Sequence, residues 1–401
     1  MKNLLSACLE KKDFFKLKEE IEKTEKQLPE KEMLYYKMYL EYAFNNIKQS
    51  NTYIDELLGK YKDQLDNKII AETLKIKSDN CFRGFYYKEA AEAYKQLLSE
   101  YQHEINKTDI DEYKNEYAFY KGLQNVEPQK MAKSCSIEIN SYRNQFNHLM
   151  IPVECGGVKD NFILDTGANV SVVTETYAKK MSLPIYQSDA DVGTSTGKRI
   201  KIQLSVAKKI IIGKIIFENV VFMCVPDKDL TFPDINLEIH GVIGFPIIQQ
   251  IGEIHINKNG NIFIPEHYQK NHSKNIFLDQ LFPIIKVVSV NEKLLLNFDT
   301  GANNSELSKK YYEDHETEIK NNGIFQNGER GGAGGTVNVK KYILKNFSYQ
   351  IGNKNGILPE IEVILQEYGY SKFFDGVIGQ DIIMQHEKMV INLKEMYIDF
   401  V

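Results

Sequence analysis

Phe162-Ile163-Leu164-Asp165-Thr166-Gly167-Ala168-Asn169 and Leu296-Asn297-Phe298-Asp299-Thr300-Gly301-Ala302-Asn303 are two versions of one octapeptide, an apolar run that ends in Asp-Thr-Gly-Ala-Asn. A single Asp-Thr-Gly carries little meaning. Ordinary residue frequencies produce it in about one chain in ten of this length, and its plain reading is an Asx turn after a strand. Here the surroundings repeat as well. Gly244, in Gly241-Val-Ile-Gly244-Phe-Pro-Ile-Ile248, follows Asp165 by 79 residues, and Gly379, in Gly376-Val-Ile-Gly379-Gln-Asp-Ile-Ile383, follows Asp299 by 80. Twelve residues past each glycine stands Ile-Asn (Ile256-Asn257 and Ile391-Asn392), and eighteen past it an apolar strand (Ile262 to Ile264, Tyr397 to Asp399). Four anchors in register point to an internal duplication.

The texture around the octapeptides is that of short strands. β-Branched runs alternate with turn residues at Ile137 to Ile139, Leu149 to Val153, Asn161 to Leu164, Ile200 to Leu204, Ile210 to Ile212 and Val220 to Val225. A second such region starts near Phe277, and the polar stretch His267 to Lys274 reads as a linker. The segment before residue 134 differs. It is rich in Lys, Glu, Leu, Ala and Tyr, and its apolar residues recur at three- and four-residue spacing, as in Leu34, Met38 and Tyr42. Ile69 to Tyr101 reads as a helix-turn-helix unit. Ala71, Leu74 and Cys81 line one helix, Gly84 and Tyr86 mark the turn, and Ala90, Ala93, Tyr94 and Leu97 face inward on the next. This unit resembles a tetratricopeptide-type repeat. The expected fold class is multidomain α plus β: an α-helical hairpin domain over 1–133, then two homologous all-β lobes over 134–270 and 276–401.

Composition sets the outer limits. The chain has 401 residues, 26% of them charged and 42% hydrophobic, the mix of a globular protein with sizeable cores. A net charge of -5 offers no basic surplus for nucleic acid. The longest apolar run, Val220 to Val225, is too short to span a membrane. Of 25 glycines, only Gly59, Gly84 and Gly122 precede residue 131, which separates helical from β territory again. Five cysteines at no metal-ligand or Cys-x-x-Cys spacing argue against a disulfide framework. Leu5-Ser6-Ala7-Cys8 spells a lipobox, but no apolar segment precedes it. The chain as given is expected to be cytoplasmic, or periplasmic or secreted if it is a trimmed form.

From about Tyr142 to Val401 the arrangement resembles the aspartic peptidases, and the retropepsin-like branch in particular. The resemblance implies two acid-protease lobes, each with one Asp-Thr-Gly loop and one threading strand (Val242-Ile243-Gly244 and Val377-Ile378-Gly379). The viral relatives are homodimers of one such lobe. A chain with both lobes is expected to be a monomer that forms the site within itself. Asp165 and Asp299 are then the catalytic pair. Two carboxyl groups sharing one proton can take a proton from a water and give one to the departing amine. Thr166 and Thr300 would brace the two loops with their hydroxyls, while Gly167 and Gly301 permit the backbone to approach the carboxylates. The stretch Gly331-Gly332-Ala333-Gly334-Gly335 resembles a flap tip, and Gly193-Thr194-Ser195-Thr196-Gly197 is its counterpart in the first lobe. Asn169 and Asn303 depart from the Asp that viral enzymes often carry there.

Other chemistries find no footing. Gly193 to Lys198 reads Gly-x-x-x-Gly-Lys, one residue short of a phosphate loop and without the following Ser or Thr. His-Glu-x-x-His does not occur. The expected function is peptide-bond hydrolysis on a peptide or protein substrate, with no metal and no organic cofactor, no nucleic acid and no membrane span. The helical domain could serve a protein partner. The alternative is a peptide- or protein-binding module on the same fold that does not cut.

Overall fold

The computed structural model describes residues 2–24, 27–270, 273–367 and 372–401. Two compact units are present. One comprises Met1–Pro128 with Ser188–Ala190 and Phe277–Gln280, and the other Gln129–Gln187, Asp191–Ile276 and Leu281–Val401.

The first unit is helical: α1 (Lys2–Glu10), α2 (Phe14–Thr24), α3 (Glu30–Ala43), α4 (Ile47–Tyr61), α5 (Asn67–Arg83), α6 (Tyr87–Glu100) and α7 (Ile110–Leu123). Good helix formers fill these segments, and one apolar stripe per helix supplies the interior. In the α5–α6 hairpin, Ile70, Ala71, Leu74 and Cys81 are buried with Ala90, Ala93, Tyr94 and Leu97. The left-handed turn position is Phe85 (φ 65°) and not Gly84; Lys12 (φ 52°) and Asn45 (φ 60°) do the same in the α1–α2 and α3–α4 turns. A polar network crosses the helices. Tyr42 Oη donates to Asp79 Oδ2 at 3.0 Å, Lys75 pairs with Asp79 at 2.9 Å, and Tyr94 bonds Glu116. Burial raises the Glu116 carboxyl above its ordinary value. Phe277 packs edge-on to Phe14 and Phe15, and the Gln280 N–H donates to Tyr42 Oη. Among the described residues no helix is long and apolar enough to cross a membrane.

In the second unit the chain first forms β1 (Lys130–Ala132) and β2 (Ile137–Ile139). β1 lies inside the stretch expected to be helical; it ends up extended because it pairs with Ile216–Glu218 of a later strand. The first lobe continues with β3 (Leu149–Cys155), β4 (Val158–Leu164), β5 (Ser171–Thr174), α8 (Glu175–Lys180), β6 (Asp191–Gly193), β7 (Arg199–Lys201), β8 (Gln203–Ile212), β9 (Ile215–Val225), β10 (Gly241–Ile243), α9 (Phe245–Ile251), β11 (Glu253–Asn257) and β12 (Ile262–Ile264). The main sheet runs β1-β9-β5-β10-β4-β3-β8, and a β8–β9 pairing turns it back on itself. The apolar run at Ile200 to Leu204, expected as one strand, divides at the buried Ile202. Before it the chain pairs with β6, and after it with β9 from Gln203 against Cys224.

The second lobe follows the same plan: β13 (Phe282–Ser289), β14 (Glu292–Phe298), β15 (Glu306–Leu307), α10 (Lys309–Asp314), α11 (Glu316–Asn322), β16 (Ile324–Gly332), β17 (Gly335–Ile351), β18 (Lys354–Ile364), β19 (Gly376–Ile378), α12 (Gln380–Ile383), β20 (Lys388–Asn392) and β21 (Tyr397–Phe400). Its sheet runs β13-β14-β19-β15-β18-β17-β16, with β13 also pairing β17. Matching caps start the matching helices: Thr174 Oγ1 accepts from Tyr177 N–H before α8, and Ser308 Oγ from Tyr311 N–H before α10. Fully buried Phe162, Phe217 and Phe245 fill one core, and Phe298, Phe374 and Phe400 the other.

A five-stranded sheet, β2-β12-β11-β20-β21, joins the lobes. The two Ile-Asn anchors sit on its neighbouring strands β11 and β20, where Ile254 faces Ile391 and Glu253 faces Asn392. Asn392 Nδ2 donates to the buried Glu253 at 2.6 Å, and His255 Nε2 lies 2.6 Å from the other Glu253 oxygen. The expected linker 267–274 contains residues 271–272, which lie outside the described residues. Within it the Gln269 N–H donates to Glu253 Oε2 at 3.0 Å.

Candidate active site

Each Asp-Thr-Gly loop leaves the end of a buried apolar strand. β4 is parallel to β10, with Leu164 opposite Ile243, and the Asp165 N–H donates to the Ile243 carbonyl at 3.0 Å. β14 is parallel to β19, with Phe298 opposite Ile378, and the Asp299 N–H donates to the Ile378 carbonyl at 3.0 Å. Past these strands the threading segments bond back to the loops, Phe245 N–H to Ala168 O at 2.8 Å and Gln380 N–H to Ala302 O at 2.9 Å.

Two serines fix this junction and were missed in the sequence. Ser171 Oγ accepts the Gly244 N–H at 3.1 Å, and Ser305 Oγ accepts the Gly379 N–H at 2.9 Å. The signal was present, since a serine stands six residues after Asp165 and again six after Asp299. Ser305 is further tied to Asp381, its Oγ donating to Oδ1 at 2.6 Å. The first lobe has Pro246 in that place.

The two threonines, each 1% exposed, tie one loop to the other. Thr166 Oγ1 donates to Phe298 O at 2.7 Å and accepts the Thr300 N–H at 3.0 Å. Thr300 Oγ1 donates to Leu164 O at 2.9 Å and accepts the Thr166 N–H at 3.0 Å. Buried hydroxyls with both roles filled make a rigid brace. The glycines beside them are required by close approach. A Cβ on Gly167 would lie 2.5 Å from Asp299 Cγ, and one on Gly301 would lie 2.5 Å from Asp165 Cγ. Each carboxyl therefore rests against the opposite loop, and each accepts an N–H of its own loop: Gly167 to Asp165 at 2.7 Å, Gly301 and Ala302 to Asp299 at 2.8 and 3.2 Å.

Asp165 and Asp299 hydrogen-bond one another. Burial raises both carboxyl groups above the ordinary aspartate range. At Asp165 the Asp299 charge and the bond between the pair add to that rise, opposed by the Gly167 and Ala168 N–H groups. At Asp299 the bond from Asp165, the loop N–H donors and the Arg330 charge oppose it. The two carboxyl groups therefore hold protons more tightly than isolated aspartates do, and they titrate as a coupled pair. Arg330, on β16, is ion-paired with Glu306 of β15. The corresponding first-lobe position is Val172: Val172 faces Val242 as Glu306 faces Val377.

The two glycine-bearing stretches are hairpin tips, and they touch. Gly193 ends β6, and Thr194, Ser195, Thr196 and Gly197 turn into β7. Gly331 and Gly332 end β16, Ala333 and Gly334 form the turn, and Gly335 begins β17. The first hairpin has arms of three paired residues and the second of nine. Gly332 lies so near the first tip that a Cβ would fall 2.1 Å from Ser195 Oγ. Buried Thr196 donates to Ala333 O at 3.2 Å. Of the two asparagines after Asp-Thr-Gly-Ala, Asn169 is half-buried and Asn303 exposed. Among the described residues no three His, Cys, Asp or Glu side chains gather as a metal site.

The family described as Aspartyl protease matches residues 151–247, a span that contains Asp165 and Gly244 and lies wholly in the first lobe. A retropepsin-like aspartic protease from Rickettsia conorii is similar at 22% identity, over 34% of this chain and 92% of that one, with a TM-score of 0.25. No curated protein matches. The first lobe carries the aspartyl protease match, the second repeats its order of strands, and helices precede both.

Proposed function

We propose that this chain is an aspartic endopeptidase in which Asp165 and Asp299 activate one water between them. The observation that carries the proposal is the meeting of the two aspartates. Each lies against the other's glycine, and desolvation raises both carboxyl groups above the ordinary aspartate range. In this mechanism the charged member of the pair takes a proton from the water as it attacks the scissile carbonyl. The protonated member donates a hydrogen bond to the oxygen that gains charge, and a proton later passes to the departing amine. Thr166, Gly167, Thr300 and Gly301 keep the carboxyl groups in position. The two lobes act as duplicated halves of one site, so a monomer suffices, and the chemistry requires neither metal nor organic cofactor.

The substrate is a peptide or protein segment in extended form. It would lie between the lobes and pair its backbone with the hairpin tips at Gly193–Gly197 and Gly331–Gly335, which act as flaps of unequal length. The tetratricopeptide-like helices are proposed as a site for a protein partner. Incubation with a peptide library followed by mass spectrometry tests the reading. Internal cleavage products are expected, whereas peptides retained intact would assign the fold to binding alone.

A further inference from the structure

The first-lobe hairpin carries one cation at its tip, Lys198, the last residue of the Gly-x-x-x-Gly-Lys stretch that no phosphate chemistry explains. Lys198 Nζ donates to Gly334 O at 2.9 Å and to Thr336 O at 3.4 Å. The Gly334 N–H donates to the carbonyl of Asp229, in the 3-10 turn Asp227–Leu230 of the first lobe, at 3.0 Å. Gly334 is thus held from both sides of its peptide backbone, its carbonyl by Lys198 and its N–H by Asp229. Thr196 takes the neighbouring Ala333 carbonyl at 3.2 Å, and its hydroxyl is set by Thr194 Oγ1 at 2.9 Å. Every acceptor on the second hairpin is a main-chain carbonyl, while the side-chain donors, Thr196 and Lys198, belong to the first.

We infer that Lys198 is a positioning residue, a latch that locks the tip of the long second hairpin onto the first lobe. The inference rests on the flap reading of these hairpins. A peptide that pairs with the second tip needs the same Gly334 groups, so it must displace the latch before it seats. Charge-assisted bonds to carbonyls are stronger than neutral ones of the same exposure, and Lys198 reaches two carbonyls of the second hairpin where Thr196 reaches one. The first hairpin, with its short arms, provides a fixed post, and the nine-residue arms of the second are the part able to swing.

Amide hydrogen exchange on the full chain, without substrate, tests this directly. In Lys198→Met the Gly334 amide should exchange about tenfold faster, the amides of β10 and β19 should keep their rates, and Lys198→Arg should restore slow exchange at Gly334. Unchanged exchange at Gly334 in Lys198→Met, or acceleration spread over both lobe cores, would overturn the latch. A second measurement separates this from the catalytic proposal. A statine-type transition-state mimic should associate about tenfold faster with Lys198→Met than with the parent chain. Faster exchange at Gly334 in a protein that binds no such mimic would leave the latch standing and count against peptidase function alone.

Discussion

Thr166 and Thr300 share four hydrogen bonds, none longer than 3.0 Å, and each hydroxyl both donates and accepts. Thr300→Val keeps the shape but leaves the Leu164 carbonyl and the Thr166 N–H buried without a partner. At about 1–3 kcal/mol for each orphaned group, the loss should be roughly 2–6 kcal/mol, read as a lower urea midpoint, and Thr300→Ser should recover most of it. The aspartates predict a pH dependence of stability with a definite sign. Their folded pKa values lie above the unfolded ones, so the folded chain binds protons more tightly. That stabilisation is complete below the ordinary aspartate value of about 3.9 and is lost as pH rises through the folded range. The unfolding midpoint should fall over that interval in the parent chain, and the slope should flatten in Asp165→Asn; an unaltered slope would refute the raised pair. At this scale the sequence was legible wherever a residue repeated beside a recognisable motif: the aspartates, threonines and glycines. Arg330, Glu306 and Lys198 were not, because their partners are set by strand register and lie 24 residues or more away in the chain.

Among the elements, the threading strands decide where the loops sit, and the serines decide how firmly. Ser171 Oγ has the Gly244 N–H, whereas Ser305 Oγ has both the Gly379 N–H and the Asp381 carboxylate. Ser305→Ala should therefore cost more stability than Ser171→Ala, by about 1–2 kcal/mol, measured by denaturant unfolding of the two variants. Equal losses would mean that Asp381 contributes nothing through Ser305. Strand boundaries were readable where burial alternates along a constant partner, as in β3, whose pattern of buried and half-buried residues is regular. They were misread at Ile200 to Leu204, because an apolar run does not record the change of partner at Ile202. The nine-residue arms of the second hairpin were also hidden, since β16 is largely exposed and its composition is polar and glycine-rich.

For the molecule as a whole, the 134-residue offset between Thr166 and Thr300 is closed by a cross-brace at the center of the second unit and by the shared sheet at its base. The repeated anchors in the sequence fall on these two places, which is why the two-lobed plan could be read without a structure. The helical segment was legible as helices from its spacing, yet its turn geometry at Phe85 and the inclusion of Phe277–Gln280 in the same unit depend on tertiary contacts. The central claim is that one water is activated by two carboxyl groups, and the most direct measurement is the cleavage rate of a single peptide substrate by the parent chain, Asp165→Asn and Asp299→Asn, each checked for native circular dichroism. The account predicts that either substitution lowers the rate about a thousandfold or more. A folded variant of either kind that cleaves within about tenfold of the parent rate would contradict it.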